Sequence, residues 1–331
     1  MARAVRRQGR AQRAARRRGH RQRQRCDAEL HARHRRRAPH RRHGGAAAHQ
    51  RPAVVRRAKP WLGTLVSIDV DGVDEARFIE ASDRAFARVA AIHAAMSFHE
   101  ASSDLRAMAR ARAGDTLPLH AETCAVLQLA LAFETQSGGA FNACCAATLV
   151  ARSLLPAPDD ASPPQASTLA EAIELLPDDR VRVLRPAWID LGGIAKGYAV
   201  DAAVEELQRA GVQAGLVNAG GDLRAFGGHR TTVHVRDPRS PTLALPVAEL
   251  QDLACATSAW SLTAPASRAA HVVGTLGDNV PMSVTVFAPS CAAADALTKV
   301  VWLRGEAAVD LLRAHNAHAL VLHEDGSAHR L

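Results

Sequence analysis

Residues Asp190-Leu-Gly-Gly-Ile-Ala-Lys-Gly-Tyr-Ala-Val-Asp201 decide how this chain is read. Before them, Val181 to Ile189 reads as a strand. After them, a helix over Ala195 to Ala210 places Ala195, Tyr198, Ala199, Ala202 and Leu207 on one face, and Gly211 stops it. The quoted stretch is therefore a strand-to-helix turn. Gly192 and Gly193 let backbone approach a ligand closely and present amides at a helix N-terminus, which suits an anionic phosphate. Lys196 adds a positive charge one turn in, and Asp190 could accept hydrogen bonds from a ribose or a flavin. The pattern is neither GxGxxG nor a P-loop, because no GK[ST] follows. A tight turn with a solvent lysine would explain the same letters.

Two further segments have the same character. Leu216-Val-Asn-Ala-Gly-Gly-Asp222 ends a strand in two glycines flanked by Asn218 and Asp222. It could line one cleft with the first segment, or be a plain turn. Ala288-Pro-Ser-Cys-Ala-Ala-Ala-Asp295-Ala-Leu-Thr298-Lys299 opens a helix, Ala292 to about Leu303, with Asp295 in its first turn. Helix capping accounts for such a carboxylate. A Mg²⁺ site would use the same carboxylate with the Thr298 hydroxyl on the same face.

The rest of the chain is consistent with these segments. Thr64 to Val70 alternates as a strand, Asp74 to Met96 reads as an amphipathic helix, and Glu122 to Thr135 as a second helix closed by Gly138-Gly139. Pro156 to Pro164 is a proline-rich insert. Ala214 to Val217, Thr231 to Val235 and Ser283 to Phe287 read as strands, and a last helix and strand follow Gly305 (Glu306 to His315, Ala319 to Leu322). Strands and helices mix without βαβ alternation, so the class is α+β, or loosely mixed α/β.

Charge splits the chain in two. Residues 1–60 hold 20 Arg and one Lys against Asp27 and Glu29, a net of +19. Residues 61–331 hold 21 Lys and Arg against 31 Asp and Glu, a net of −10, and the two give the formal +9. The leader, residues 1–57, lacks apolar periodicity, and runs such as Arg16-Arg17-Arg18 repel in a compact state, so disorder is its physical expectation. Three readings compete for it: a nucleic-acid-binding arm, a targeting segment, or a start placed upstream of a true start near Val54 or Val55. No apolar core of a secretory signal is present. The acidic body, residues 58–331, is not expected to bind nucleic acid. It is long enough for a large core, holds no apolar run near the ~20 residues of a membrane span, and its cysteines form no CxxC pair or zinc spacing. As written the chain reads as cytoplasmic, with a periplasmic or inner-membrane-associated site the alternative if the start is misplaced.

The three segments, in this order, resemble the signatures of the ApbE family of flavin transferases. Weaker matches accompany them. Leu62-Gly63-Thr64 resembles its Met-Gly-Thr. Met96-Ser97-Phe98-His99 with Ser103-Asp104-Leu105 resembles Met-Ser-Thr-Tyr…Asp-Ser-Glu-Leu. Gly139-Ala140-Phe141-Asn142 resembles Gly-Ala-Phe-Asp, and Ala256-Thr257-Ser258 its Ala-Thr-Ser. The resemblance spans about residues 58–325. It implies a two-lobed fold with FAD in a cleft between lobes, and Mg²⁺-dependent transfer of FMN from FAD to a Thr or Ser hydroxyl of a target redox flavoprotein subunit, with release of AMP. By matching position, Leu62, His99, Ala140, Phe141, Asn142, Asp190, Lys196 and Val273 are expected at FAD. The Gly193 carbonyl, Asp295 and Thr298 are expected at the metal. His271 and Lys196 are the expected catalytic groups, His271 as the base because histidine titrates near neutral pH.

Three departures from the family pattern make the site less negative. The Asp-Pro-x-Thr-Gly that should follow His271 is absent, and Val-Val-Gly-Thr-Leu-Gly-Asp stands there. Asp278 or Asp237-Pro238-Arg239 are the candidates to compensate. Lys299 replaces a threonine four residues after Asp295, and Asn142 replaces an aspartate. Weak Mg²⁺ binding, or a divergent FAD-binding or trafficking protein on the same scaffold, is the expectation that follows.

Overall fold

The computed structural model describes residues 54–331 apart from 159–161, 237–239, 241, 260–271 and 275–279. The chain divides into two units, Met1–Arg51 and Pro52–Leu331, and the described residues all belong to the second. Most of the leader, Asp237-Pro238-Arg239, His271 and Asp278 lie outside the described residues.

Thirteen described strands occur in chain order: β1 Val54–Trp61, β2 Thr64–Asp71, β3 Thr116–Pro118, β4 Ile173–Leu176, β5 Arg180–Val183, β6 Gly215–Ala219, β7 Asp222–Phe226, β8 Arg230–Arg236, β9 Ala244–Gln251, β10 Ala254–Ala259, β11 Ser283–Ala288, β12 His318–Leu322 and β13 Ala328–Arg330. The helices are α1 Glu75–Met96, α2 Asp104–Arg110, α3 Ala121–Gln136, α4 Ala146–Ala151, α5 Leu169–Ala172, α6 Ala195–Arg209, α7 Cys291–Arg304 and α8 Val309–Ala314.

Eight strands make one sheet in the order β1-β2-β6-β7-β10-β11-β12-β13, each neighbour antiparallel. Side chains alternate across it, as a period of two requires. Val217, Ala219 and Phe226 face the main core, whereas Leu216, Leu223 and Ala225 join a small cluster with Val233 and Leu250 of the β8–β9 hairpin. On the main-core side α1 packs on α6, α6 on α7, and α7 on β10 and β11. A second sheet, β3-β5-β4, contributes Val181 and Ile173 to that same core. The α+β class holds.

Two local readings change. β1 begins at Val54, so Val54 to Arg57, placed above in the leader, are strand. Their charge is matched by the body: Arg56 donates from two nitrogens to the Asp69 carboxylate at 2.5 Å each, and Arg57 reaches Ser82 and Asp83. The strand expected over Val181–Ile189 ends at Val183. Pro186 has no N–H to give a ladder. The following extended residues are tied instead to the 143–146 loop, by Asp190 N–H to Ala143 O (2.8 Å) and Ala146 N–H to Trp188 O (3.3 Å).

The decisive packing contact is between α6 and α7. α7 is buried over most of its length from Cys291 to Trp302, as a largely apolar helix must be. Its backbone lies so close to α6 that a Cβ at Gly197 would stand 2.2 Å from Cys291 O. Asp201, the last residue of the quoted stretch, accepts from Cys291 N–H and Ala292 N–H, both at 2.9 Å, and Ser290 accepts from Ala293 N–H. The orphan amides at the start of α7 are thus satisfied partly from a different helix. Because the obstacle at Gly197 is backbone, it cannot rotate away. Gly197→Ala is expected to cost about 3 kcal/mol, the upper end of overpacking losses, read as a lowered midpoint in urea unfolding. A change under about 0.5 kcal/mol would refute the tight contact.

Candidate active site

The three glycine- and aspartate-bearing segments converge at the ends of α6, β7 and α7. Gly192 and Gly193 lead into α6, with Ile194 N–H and Ala195 N–H both donating to Leu191 O. Gly220 and Gly221 form the β6–β7 hairpin turn, both at positive φ (66° and 105°), the conformation such two-residue turns need. Gly220 also abuts Thr64, whose Oγ1 would lie 2.4 Å from an added Cβ. Asn218 Oδ1 accepts from Gly221 N–H at 2.9 Å.

Four charges meet there. The Lys196 ammonium contacts the Asp222 carboxylate and lies 3.8 Å from Asp295. The Lys299 ammonium contacts the other oxygen of Asp295, one turn earlier on α7. Asp295 is completely buried and Asp222 nearly so. Gly197 N–H donates to Asp295 Oδ2 at 3.2 Å. Burial opposes ionisation of Asp295, but Lys196, Lys299 and that amide hold its carboxyl below the usual range. Burial and the repulsion of Asp295 push Asp222 up. Burial alone would lower Lys196, yet Asp295 and Asp222 outweigh it and hold the ammonium above its ordinary value. Lys196 is therefore a fixed positive charge rather than a proton acceptor.

A cavity of about 840 Å³ opens beside this cluster, near the top of the ~300–1,000 Å³ range of small-molecule sites. Gly192, Gly193, Lys196, Asp222 and Lys299 are in its lining, with Phe141 beside Gly193 and Lys299. Phe98, Phe141, Leu154 and Trp302 line the apolar part. Of the residues expected at FAD, Leu62, His99, Ala140, Phe141, Asn142, Asp190, Lys196 and Val273 all border it, as does Gly193. Asp295 and Thr298 sit behind Lys196 and Lys299, buried. The Asn142 amide is engaged by the protein itself: it donates to Ser167 O (3.0 Å) and accepts from Cys144 N–H (2.8 Å), shaping the 140–145 loop. Val272 and Val273 border the cavity, while His271 lies outside the described residues. Cys145 also borders it, its thiol pushed up by burial.

Asp222, Thr257, Ser258, Lys299 and Trp302 also belong to this site and were not among the expected ligand contacts. Helical spacing could have found two of them, since Asp295, Lys299 and Trp302 stand at i, i+4 and i+7 on α7. The Trp302 indole N–H is buried and has no hydrogen-bond partner among the described residues. An unmet donor beside a cavity suits a ligand acceptor.

The proposed metal donors do not fit a divalent ion as arranged. Asp295 Oδ1 is met by Lys299, and Oδ2 by Gly197 N–H. The Thr298 hydroxyl donates to Asp295 O (2.7 Å) and pairs with Ser258 Oγ (2.8 Å). A Cβ on Gly193 would lie 3.4 Å from Lys299 Cε, so the lysine stem fills the space beside Gly193. Two ammoniums and two carboxylates cancel, and a 2+ ion 4 Å from the Lys299 ammonium would meet on the order of 8 kcal/mol of repulsion at an effective dielectric of about 20. Among the described residues no group of three or more His, Cys, Asp or Glu is placed to hold a metal ion.

This site can take a ligand with an anionic centre and a flat apolar end. The ApbE family pattern matches residues 62–322, and the chain belongs to the ApbE family. Similar solved structures are the ApbE protein of Thermotoga maritima MSB8 (23% identity, 84% of this chain, 97% of that chain, TM-score 0.71) and the flavin transferase ApbE of Vibrio cholerae (20%, 84% and 96%, TM-score 0.70). A third is the apo form of the Pseudomonas stutzeri flavinyl transferase ApbE (19%, 85% and 96%, TM-score 0.69). These likenesses establish the fold. No curated protein matches the chain. Among the described residues no helix is long and apolar enough to cross a membrane.

Two outcomes are expected. Asp295→Ala leaves the Lys299 ammonium without its buried partner and Lys196 with Asp222 alone, and should cost about 3–5 kcal/mol of stability in denaturant unfolding; Asp295→Asn with unchanged stability would contradict the strong pairing. Trp302→Phe removes a donor whose net worth is about 0.5–1.5 kcal/mol, so FAD affinity should fall roughly two- to tenfold by flavin-fluorescence titration. Unchanged affinity would show that the indole N–H does not meet the ligand.

Proposed function

We propose that the protein transfers FMN from FAD to a serine or threonine hydroxyl of a target redox flavoprotein subunit and releases AMP. The observation that carries this reading is the cavity itself: its lining brings together a glycine turn with Lys196 and Lys299, and the aromatic rings of Phe141 and Trp302. The first suits a pyrophosphate and the second a flavin ring. Leu62, His99, Ala140, Phe141, Asn142, Asp190, Lys196 and Val273 are the residues we assign to FAD. His99 can stack on a flat ring as a tyrosine would.

The reaction demands little covalent chemistry from the protein. The target oxygen attacks the phosphorus on the flavin side of the pyrophosphate. That phosphorus gains a bond to the attacking oxygen and loses its bond to the bridging oxygen, which leaves on AMP. The hydroxyl proton is released, and His271 is the base we assign to take it. Catalysis then consists of aligning the hydroxyl and compensating charge on the phosphate oxygens. Lys196 serves the second task because its neighbours keep it protonated. Family membership implies Mg²⁺ as well, held by Gly193 O, Asp295 and Thr298. The donor arrangement described above does not favour it, and no step here is routed through a metal.

The test uses residues 54–331, FAD and a target domain bearing a Ser/Thr-Gly-Ala-Thr acceptor segment. Intact-mass spectrometry should show the target heavier by one FMN residue, and the full chain should do the same. Bound FAD without any mass gain would replace this reading with that of an FAD-binding protein.

A further inference from the structure

We propose that Lys299 is the resident cation of this site, its ammonium occupying the place beside Asp295 that family membership assigns to a divalent metal, so that FAD is held and cleaved without Mg²⁺. The inference rests on the flavin-transfer reading above.

The geometry is specific. Lys299 Nζ donates to Asp295 Oδ1 and also to the Asp295 main-chain oxygen, at 3.0 Å for the latter. That main-chain oxygen accepts from the Thr298 hydroxyl too. One lysine therefore reaches the carboxylate and the carbonyl of the same residue, and its stem lies against Gly193. The ammonium thereby engages two oxygens of Asp295, the residue that family membership assigns to the metal, and the lysine stem packs beside Gly193. Yet Lys299 is not sealed off. Its side chain keeps 19% of its surface exposed and borders the cavity with Lys196.

The charge balance points the same way. Lys196 and Lys299 cancel Asp222 and Asp295, so this quartet offers no surplus of negative charge to attract a divalent ion; Asp190 also borders the cavity. FAD brings its own two negative charges on the pyrophosphate. The quartet adds no net charge to balance them, but its two ammoniums border the cavity while Asp295 is enclosed. When the bond from the flavin-side phosphorus to the bridging oxygen breaks, that oxygen takes the electron pair and leaves on AMP, and the target hydroxyl loses its proton. A fixed ammonium stabilises the leaving oxygen electrostatically and forms no bond to it. Its strength is that of one charge, but it is always present and needs no loading.

The experiment compares the protein in EDTA with the protein in excess MgCl₂. FAD affinity by flavin fluorescence and FMN transfer by intact mass are expected to differ by less than about twofold. Direct titration of Mn²⁺, followed by electron paramagnetic resonance, is expected to show no stoichiometric site in the wild type. Lys299→Ser should open one, weaken FAD binding in EDTA roughly tenfold, and regain it on adding Mg²⁺. The proposal is overturned if Mg²⁺ tightens FAD or accelerates transfer about tenfold or more in the wild type, or if the wild type binds one Mn²⁺. If Lys299→Ser fails to fold by circular dichroism, the wild-type comparisons still decide. FAD bound but never transferred would sink the transferase reading, and the FAD and Mn²⁺ titrations would still judge Lys299. Failure to bind FAD under any condition would sink both.

Discussion

The structure depends on the approach of α6 and α7 at Gly197 and Cys291. With any side chain at residue 197 the helices would separate, and three things would part company. The Asp201 carboxylate would lose the amides of Cys291 and Ala292. Gly197 N–H would leave Asp295. Lys196 would move away from the carboxylates that keep it charged. Glycine's missing Cβ and a carboxylate cap exchanged between helices are thus a single device. It sets the first turns of two helices beside each other and directs both into one cavity. Arg224 donates to Asp201 at 2.8 Å and so couples β7 to the same joint.

Buried charge normally destabilises a fold unless each group is paired and hydrogen-bonded. Here Asp295 is completely enclosed and still ionised, because two ammoniums and an amide surround it. Asp222 shares Lys196, and burial together with the repulsion of Asp295 pushes its carboxyl up. The quartet is close to neutral as a whole while both ammoniums face the cavity. An anionic ligand therefore meets positive charge that is already oriented, so little is left to reorganise when the ligand binds.

Much of the fold was legible in the sequence wherever one periodicity ran uninterrupted. The α1 pattern, with Asp74 as its cap, and the α6 pattern ending at Gly211 appear in the structure within a residue or so. The strand beyond Val183 was misjudged because apolar Ala187, Trp188 and Ile189 look like ladder residues, whereas Pro186 and the 143–146 loop decide their pairing. β1 was read into the leader because Arg56 and Arg57 continue its arginines. Only the partners Asp69, Ser82 and Asp83, distant in sequence, separate them from it. β7 and β10 are short and carry polar residues at their ends, so no alternating pattern marks them.

By itself the sequence determined the α+β class, the two glycine turns, the family and a part of the cavity lining, because these rest on local backbone geometry and on motifs contiguous in the chain. What Asp295 and Asp201 do was decided only by tertiary structure. Read locally, Asp295 is a helix-capping group or a metal ligand, and Asp201 is a polar residue in mid-helix. In the fold one is an anion enclosed by two lysines and the other caps a helix some ninety residues away. Pairings between segments so far apart depend on which helices touch. That contact is governed by the absence of a single methyl group at Gly197, and its consequences appear only when α7 is packed against it.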